Sequence, residues 1–142
     1  MTIPESRVPA WAAAVCDGVH AAGSRDVVYV PDNPLSHVLR DVRERLPDVR
    51  LVLATREEEA FGIAAGLFLG GKRPTVMLQS SGLGNSLNAL TSLLIPYRIP
   101  VLLVVSMFAS APHGAPRSNN SAARKRIRSA ASTLTCARAI GN

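Results

Sequence analysis

The alternation of short apolar segments with segments of helical spacing constrains the fold of this chain more than any other feature. Four runs are rich in β-branched and aliphatic residues, and each is long enough for one strand. They are D-V-V-Y-V-P from Asp26, R-L-V-L-A-T from Arg50, P-T-V-M-L-Q from Pro74 and I-P-V-L-L-V-V-S from Ile99. Strands that are apolar on both faces are typical of a covered parallel sheet. We therefore predict an α/β fold, a mostly parallel sheet with helices on both faces.

Segments with the 3.6-residue periodicity of a helix lie before and between these strands. A glycine or a proline follows each segment, as expected where a helix ends. The predicted helices cover about residues 8–19, 35–46, 60–69 and 86–94. The stretch S-S-G-L-G-N, Ser80–Asn85, is predicted to be a glycine-bearing turn between the third strand and the last helix.

The composition is that of one globular domain. A length of 142 residues with 47% apolar side chains is enough for a single core. The longest apolar runs are too short to cross a bilayer, and the first residues lack the pattern of a signal peptide. We expect a cytoplasmic protein with no membrane partner. Cys16, Cys136 and three scattered histidines form no metal-binding motif, and we predict no metal site made by this chain alone.

The net charge of +6 lies entirely in the C-terminal tail. Residues 1–106 carry ten basic and ten acidic side chains, whereas residues 107–142 carry six basic and no acidic ones. The tail is also rich in Ala and Ser and has no sustained strand or helix pattern beyond a weak helix at about 122–131. We place the domain at residues 1–107 and expect residues 108–142 to be a disordered or out-of-frame tail outside the core.

Three loops are candidates for a ligand site, because parallel α/β sheets bind ligands beyond the carboxyl ends of their strands. They are P-D-N-P after the first strand, T-R-E-E-E after the second and S-S-G-L-G-N after the third. The helix dipole stabilises glutamates in a first turn, so the three glutamates need no function to be explained. The glycines either let backbone approach a ligand or serve a tight connection. The residues alone leave these alternatives open.

Two nucleotide-binding motifs are incomplete. G-L-F-L-G-G-K, residues 66–72, has the spacing of a P-loop, but Arg73 replaces the Ser or Thr that binds magnesium, and the segment ends a helix instead of beginning one. G-L-G-N from Gly82 lacks the third glycine of the dinucleotide fingerprint and follows the wrong strand. We predict neither nucleoside triphosphate nor dinucleotide binding.

The chain resembles the pyrimidine-binding domain of thiamine diphosphate-dependent decarboxylases. The resemblance covers about residues 8–107 and is closest to the sulfopyruvate decarboxylase alpha subunits and the related phosphonopyruvate decarboxylases. It is carried, in order, by V-P-D-N-P, T-R-E-E-E-A-F-G-I-A-A-G, G-G-K-R-P, Q-S-S-G-L-G-N-S-L-N-A-L-T-S-L and I-P-V-L-L-V-V-S. The fourth of these stretches is the most specific.

This resemblance implies a catalytic glutamate that hydrogen-bonds N1′ of the cofactor's aminopyrimidine ring. Alignment of the Ala-Ala pair and Gly62 with the family pattern puts it at Glu58, and Glu57 and Glu59 are kept as lesser candidates. The loops before and after it match cofactor-lining positions, although a turn or structural hydrogen bonds would also explain several of those residues. The cofactor-binding residues that the resemblance implies are Pro31, Asp32, Asn33, Gln79, Ser81, Gly82 and Asn85.

The resemblance also implies thiamine diphosphate and Mg²⁺, held at the diphosphate end by a second domain with a G-D-G motif. No G-D-G occurs in this chain. A beta subunit is therefore expected to supply that domain, so that the active site lies between the chains of a hetero-oligomer. The substrate would be a small anionic 2-oxo acid.

Sulfopyruvate, decarboxylated to sulfoacetaldehyde, is the substrate that the resemblance favours, with phosphonopyruvate as the alternative. A non-catalytic or truncated remnant is a further alternative, because the Arg-Gly turn expected after the fourth strand is missing and residues after Met107 resemble an out-of-frame reading. The basic tail raises nucleic-acid binding, but it lacks interleaved aromatic residues and a recognisable module, so no nucleic-acid partner is expected.

Overall fold

The structure is a computed structural model that describes residues 8–107 and the backbone of residues 134–138. Its helices are α1 (Ala10–Ala21), α2 (Asn33–Arg45), α3 (Glu57–Leu69), α4 (Ser80–Asn85) and α5 (Leu87–Ala89), and a π-helical turn follows at Leu90–Leu94. Its strands are β1 (Asp26–Tyr29), β2 (Arg50–Leu53), β3 (Pro74–Gln79), β4 (Leu102–Ser106) and β5 (Leu134–Arg138). None of the helices in the described ranges has the length and apolar character that a membrane crossing needs.

The strands form one sheet in the order β2-β1-β3-β4-β5. The first four strands are parallel, and β3 lies between β1 and β4 and pairs with both. The α/β fold with a mostly parallel sheet is therefore confirmed. The strand P-T-V-M-L-Q is found at the predicted residues, Pro74–Gln79.

Two separate apolar cores show that helices cover both faces of the sheet. Successive strand residues alternate between the cores: Val76 and Leu78 belong to one, and Met77 belongs to the other. Phe61 and its neighbours on α3 fill the first core, whereas α1 and α2 fill the second. This alternation is the period-2 geometry of a strand, and both sets of side chains are buried.

Two glycines end helices in the way that the sequence indicates. Gly23 follows α1 with φ of 67°, and Gly71 follows α3 with φ of 77°. Both angles lie in the left-handed region that glycine adopts without steric cost. The chain can therefore turn sharply back toward β1 and β3.

The structure differs from the prediction at S-S-G-L-G-N, which forms the helix α4 instead of a turn. Gly82 and Gly84 are not among the described glycines with positive φ, so neither is needed for a left-handed turn. Ser86 stabilises the end of α4, because its backbone N–H and its hydroxyl both donate to the carbonyl of Gly82, at 3.0 and 2.8 Å. Leu83 packs against the α3 core, and this tertiary contact offsets the low helix propensity of glycine.

A second difference concerns the tail, for which no strand was predicted. The backbone of β5 pairs antiparallel with β4, with Cys136 opposite Val104. Without β5, the outer side of β4 would present unpaired N–H and C=O groups, and a fifth strand satisfies them. The weak helix predicted at 122–131 lies outside the described residues, and the domain boundary at residue 107 stays a prediction.

Candidate functional site

The strand order defines a crevice at the carboxyl edge of the sheet. From β1 the chain moves outward to β2 and then returns to β3 on the other side of β1. In sheets of this type, the point where the strand order reverses is where ligands bind. The segment after β1 and the start of α4 flank this point, and both were predicted as site loops.

The segment after β1 runs toward β4 across the end of β3. The Val30 N–H donates to the carbonyl of Met77 on β3, at 3.0 Å. Further along, the hydroxyl of Ser106, the last residue of β4, donates to a carboxylate oxygen of Asp32. Since β3 lies between β1 and β4, this hydrogen bond spans the carboxyl end of β3.

Asp32 holds the N-cap position of α2 but does not act as its cap. Its backbone is extended, with φ of −150° and ψ of 147°, and its side chain makes no capping hydrogen bond. The carboxylate is half-buried and engages Ser106, which is 1% exposed. Ser106 was not among the predicted site residues; its signal in the sequence is a polar residue that ends an aliphatic strand.

Glu59 has a structural task. Its carboxylate accepts hydrogen bonds from the backbone N–H and the hydroxyl of Thr55, at 2.7 and 2.6 Å. These bonds lower the pKa of Glu59, with the Thr55 hydroxyl as the larger cause. Glu59 thus ties the end of the β2 loop to the first turn of α3, and the helix-start interpretation holds for this residue.

Glu57 contacts the S-S-G-L-G-N segment and is half-buried. A Cβ atom placed on Gly82 would overlap both the carboxyl group and the Cγ of Glu57. A larger residue at this position would have to displace the glutamate side chain, so the constraint comes from the volume of the glutamate and not from backbone conformation. This contact joins two of the three predicted site loops.

Glu58, where the resemblance places the catalytic carboxylate, is exposed. Within residues 8–107 we find no hydrogen bond or ion pair to its side chain. Neighbouring helical residues are about 100° apart around the axis, so only one of Glu57 and Glu58 can lie on Gly82. The geometry favours Glu57, the lesser candidate of the sequence analysis, and the assignment of Glu58 stays a prediction.

The remaining predicted residues surround this contact to different degrees. The Ser81 hydroxyl donates to the side-chain oxygen of Gln79, which ends β3 and is partly buried. Pro31, Asn33 and Asn85 are exposed. The structure thus brings Gln79 and Ser81 together beside Gly82, and it leaves Asn85 at the far end of α4.

The residues present fit the aminopyrimidine part of a cofactor. A half-buried carboxylate lies against a glycine where a side chain would not fit, which suits an acceptor for a ring nitrogen proton. In the described part of the chain, no group of three or more His, Cys, Asp or Glu residues could hold a metal ion.

The chain matches a family of cofactor-binding domains over most of its described length. The family described as thiamine pyrophosphate enzyme, N-terminal TPP binding domain, matches residues 10–115. The chain belongs to this family. The match spans the fold from α1 through β4, and it confirms the resemblance on which the sequence analysis relied.

Among curated relatives of this TPP-binding domain are sulfopyruvate decarboxylase alpha subunits. The one from Methanocaldococcus jannaschii is 46% identical over 80 residues, which are 56% of this chain and 47% of that protein. The one from Methanothermobacter thermautotrophicus is 45% identical over 93 residues, 66% of this chain and 56% of that protein. The chain thus spans about half the length of these relatives.

The phosphonopyruvate decarboxylase of Streptomyces viridochromogenes is 39% identical over 95 residues, 67% of this chain and 24% of that protein. Among solved structures, the 2-oxoglutarate:ferredoxin oxidoreductase from Magnetococcus marinus matches 74% of this chain and 18% of its own, with a TM-score of 0.61 and 23% identity. This last likeness supports the fold alone.

Proposed function

We propose that this TPP-binding domain is part of the alpha subunit of a thiamine diphosphate-dependent decarboxylase that converts sulfopyruvate to sulfoacetaldehyde and CO₂. Support comes from the family match and from the identities to sulfopyruvate decarboxylase alpha subunits. The observation that carries the proposal is the half-buried Glu57 carboxylate on Gly82, at the start of α3 and beside the switch point.

Glu57 is the proposed acid–base residue, and Glu58 is the alternative that the family pattern favours. The Glu57 carboxylate would hold a proton at N1′ of the aminopyrimidine, and the packing around Glu57 would fix the direction of that hydrogen bond. Thiamine diphosphate, when bound, supplies the electron sink that decarboxylation of a 2-oxo acid needs. The role of this chain is to bind and orient the pyrimidine and to supply the carboxylate.

The cofactor-lining set proposed around this carboxylate keeps the residues that the sequence predicts. Gly82 accommodates Glu57, and Gln79 and Ser81 lie beside it on the same side of the crevice. The segment after β1 forms the opposite wall. The proposed set is Pro31, Asp32, Asn33, Gln79, Ser81, Gly82 and Asn85.

We further propose that a beta subunit holds Mg²⁺ and the diphosphate, so that the site is completed at an interface between chains. The description of the relatives as alpha subunits supports this. Phosphonopyruvate is the second candidate substrate, because the Streptomyces phosphonopyruvate decarboxylases are 39% and 40% identical to this chain.

The test is to co-express the chain with a candidate beta subunit and to assay aldehyde formation from sulfopyruvate and from phosphonopyruvate. Glu57→Gln should lower kcat by on the order of 100-fold or more, because the amide cannot exchange a proton with N1′. Glu58→Gln is the matched control and should retain most of the activity. If Glu58→Gln abolished activity while Glu57→Gln stayed active, Glu58 would be the acid–base residue. No turnover of either 2-oxo acid by the wild-type complex would refute the proposed function.

A further inference from the structure

The hydrogen bond between Ser106 and Asp32 has features that ordinary sheet and helix packing does not require. Ser106 ends a strand whose preceding residues, Leu102–Val105, are all aliphatic, and its hydroxyl is buried. A buried hydroxyl is costly unless it is hydrogen-bonded, so an aliphatic residue or alanine would serve the core better. The hydroxyl therefore has a use beyond packing.

Asp32 stands at the N-cap position of α2, but its carboxylate bonds to Ser106 instead of capping the helix. An aspartate at an N-cap position normally accepts from a backbone N–H of the first helical turn. Here the backbone carbonyl of Asp32 accepts the ordinary first helical bond from the Ser36 N–H, at 3.1 Å, but the side chain makes no capping bond. The carboxylate is directed instead across the end of β3, to a partner 74 residues away in the sequence.

The charges at this edge indicate what Asp32 can recognise. The three site loops carry four carboxylates and one cation, which is exposed: Asp32, Glu57, Glu58 and Glu59 against Arg56. The anionic groups of a 2-oxo acid would be repelled by this half of the site. A ligand N–H or O–H donor would instead be attracted, and the carboxylate of Asp32 uses only one oxygen for Ser106.

We propose that Ser106 is a positioning residue, which holds the Asp32 carboxylate at the switch-point crevice so that Asp32 accepts a hydrogen bond from an N–H or O–H donor of the bound cofactor or substrate. This inference rests on the proposed function and extends it. Ser106 acts through Asp32 and does not touch the ligand.

A double-mutant cycle in the assembled complex tests the proposal. Ser106→Ala should lower kcat/KM by about 10- to 100-fold, the range for loss of one hydrogen bond to a charged group, and should weaken thiamine diphosphate binding in calorimetry. Asp32→Ala should cost at least as much. The double variant should be no worse than Asp32→Ala alone, because Ser106 has no effect without its acceptor. Ser106→Thr, which keeps the hydroxyl, should recover most of the loss.

Ser24→Ala is the matched control. Ser24 is also a buried serine with hydrogen bonds, to Asp26 and Thr75, but it lies at the opposite edge of the sheet. Its variant should change thermal stability as much as Ser106→Ala does, without a change in kcat/KM or in cofactor affinity. Equal kinetics in the two variants would overturn the proposal, and so would fully additive effects of Ser106→Ala and Asp32→Ala.

Hydrogen exchange separates this inference from the proposed function. The backbone amides of Leu35 and Ser36, in the first turn of α2, should exchange faster in Ser106→Ala than in Ser24→Ala, whether or not the complex turns over a 2-oxo acid. If wild type is inactive and this difference is present, only the proposed function fails. If wild type is active and the exchange is unchanged, the positioning role fails. If Ser106→Ala does not fold, Ser106→Thr and Asp32→Ala decide on the same readouts, and an Asp32→Ala variant with wild-type kinetics contradicts the role.

Discussion

At the scale of single residues, the site depends on a pair in which each partner explains the other. Glu57 occupies the space that a side chain on Gly82 would need. Neither residue is understood alone, because a first-turn glutamate is ordinary and a helical glycine is merely unfavourable. Together they fix the direction of one carboxylate at the carboxyl edge.

Gly82→Ala should therefore displace the Glu57 side chain and lower kcat by about tenfold or more, since a misplaced catalytic group loses its orientation. Gly84→Ala is the control, because nothing lies within 4 Å of the position of its Cβ. That variant should be stabilised by about 0.5–1 kcal/mol through higher helix propensity and should remain active. Steady-state kinetics and urea unfolding measure both effects. Equal kcat values for the two variants would contradict the pairing of Glu57 with Gly82.

At the scale of elements, the adjacent glutamates in the first turn of α3 make different contacts. Glu59 bonds to Thr55 and anchors the start of α3, whereas Glu57 reaches the neighbouring helix α4. The beginning of α3 is thus held from two sides. The orientation of the site carboxylate follows from this anchoring.

The anchoring by Glu59 predicts a pH dependence of stability. Thr55 lowers the folded-state pKa of Glu59 below its usual value of 4.5. The stability that the bonds between Glu59 and Thr55 contribute is therefore fully present at pH values above 4.5. It is lost as the pH falls through the lower, folded-state pKa of Glu59. Glu59→Gln should lower the urea midpoint at pH 7, and the difference from wild type should shrink below pH 4.5. If the difference in urea midpoint between wild type and Glu59→Gln grew on acidification, the anchoring role of Glu59 would be excluded.

Most of the fold could be predicted from sequence, because strand and helix periods are local properties. The strand Pro74–Gln79 was predicted at its observed bounds, and the order of elements through β3 was correct. Helix α4 was missed, since its glycines disfavour a helix and only the packing of Leu83 and the bonds of Ser86 reverse that preference.

The site was predicted as three loops but not as contacts. Which glutamate lies on Gly82 depends on the rotation of α3 about its axis, and a one-residue shift turns a side chain by about 100°. The Ser106 and Asp32 pair joins the end of β4 to the segment after β1, and these two strands are not adjacent in the sheet. No local pattern specifies such a pair. The family resemblance suggested the chemistry of the site, whereas the structure showed which residues contact one another.

At the scale of the whole molecule, the proposed site is one part of a cofactor site that a beta subunit would complete. The carboxylate, the glycine and the segment after β1 lie at one edge of the sheet, and within the described ranges no side-chain cluster suits a metal ion. If the proposed function is correct, affinity for a diphosphate cofactor should be a property of the assembly.

Calorimetry with thiamine diphosphate should detect tight binding only when the chain, the beta subunit and Mg²⁺ are all present. Removal of Mg²⁺ with EDTA should abolish binding and activity, and added Mg²⁺ should restore both, since in the proposed arrangement the partner would hold the diphosphate through the metal. The control is the beta subunit with Mg²⁺ but without this chain. Tight, Mg²⁺-dependent binding by either chain alone would contradict a shared site.

The division of each strand between two cores has a consequence for how such a chain can vary. Met77 faces one core, and Val76 and Leu78 face the other. Insertion of one residue into β3 would move side chains from one face of the sheet to the other, and thus between two cores of different shape. Replacing one aliphatic residue by another disturbs one cavity by a methyl group or two. We therefore expect functional variants of this domain to accumulate substitutions within strands, and to confine length changes to connections such as the one at Lys72 and Arg73.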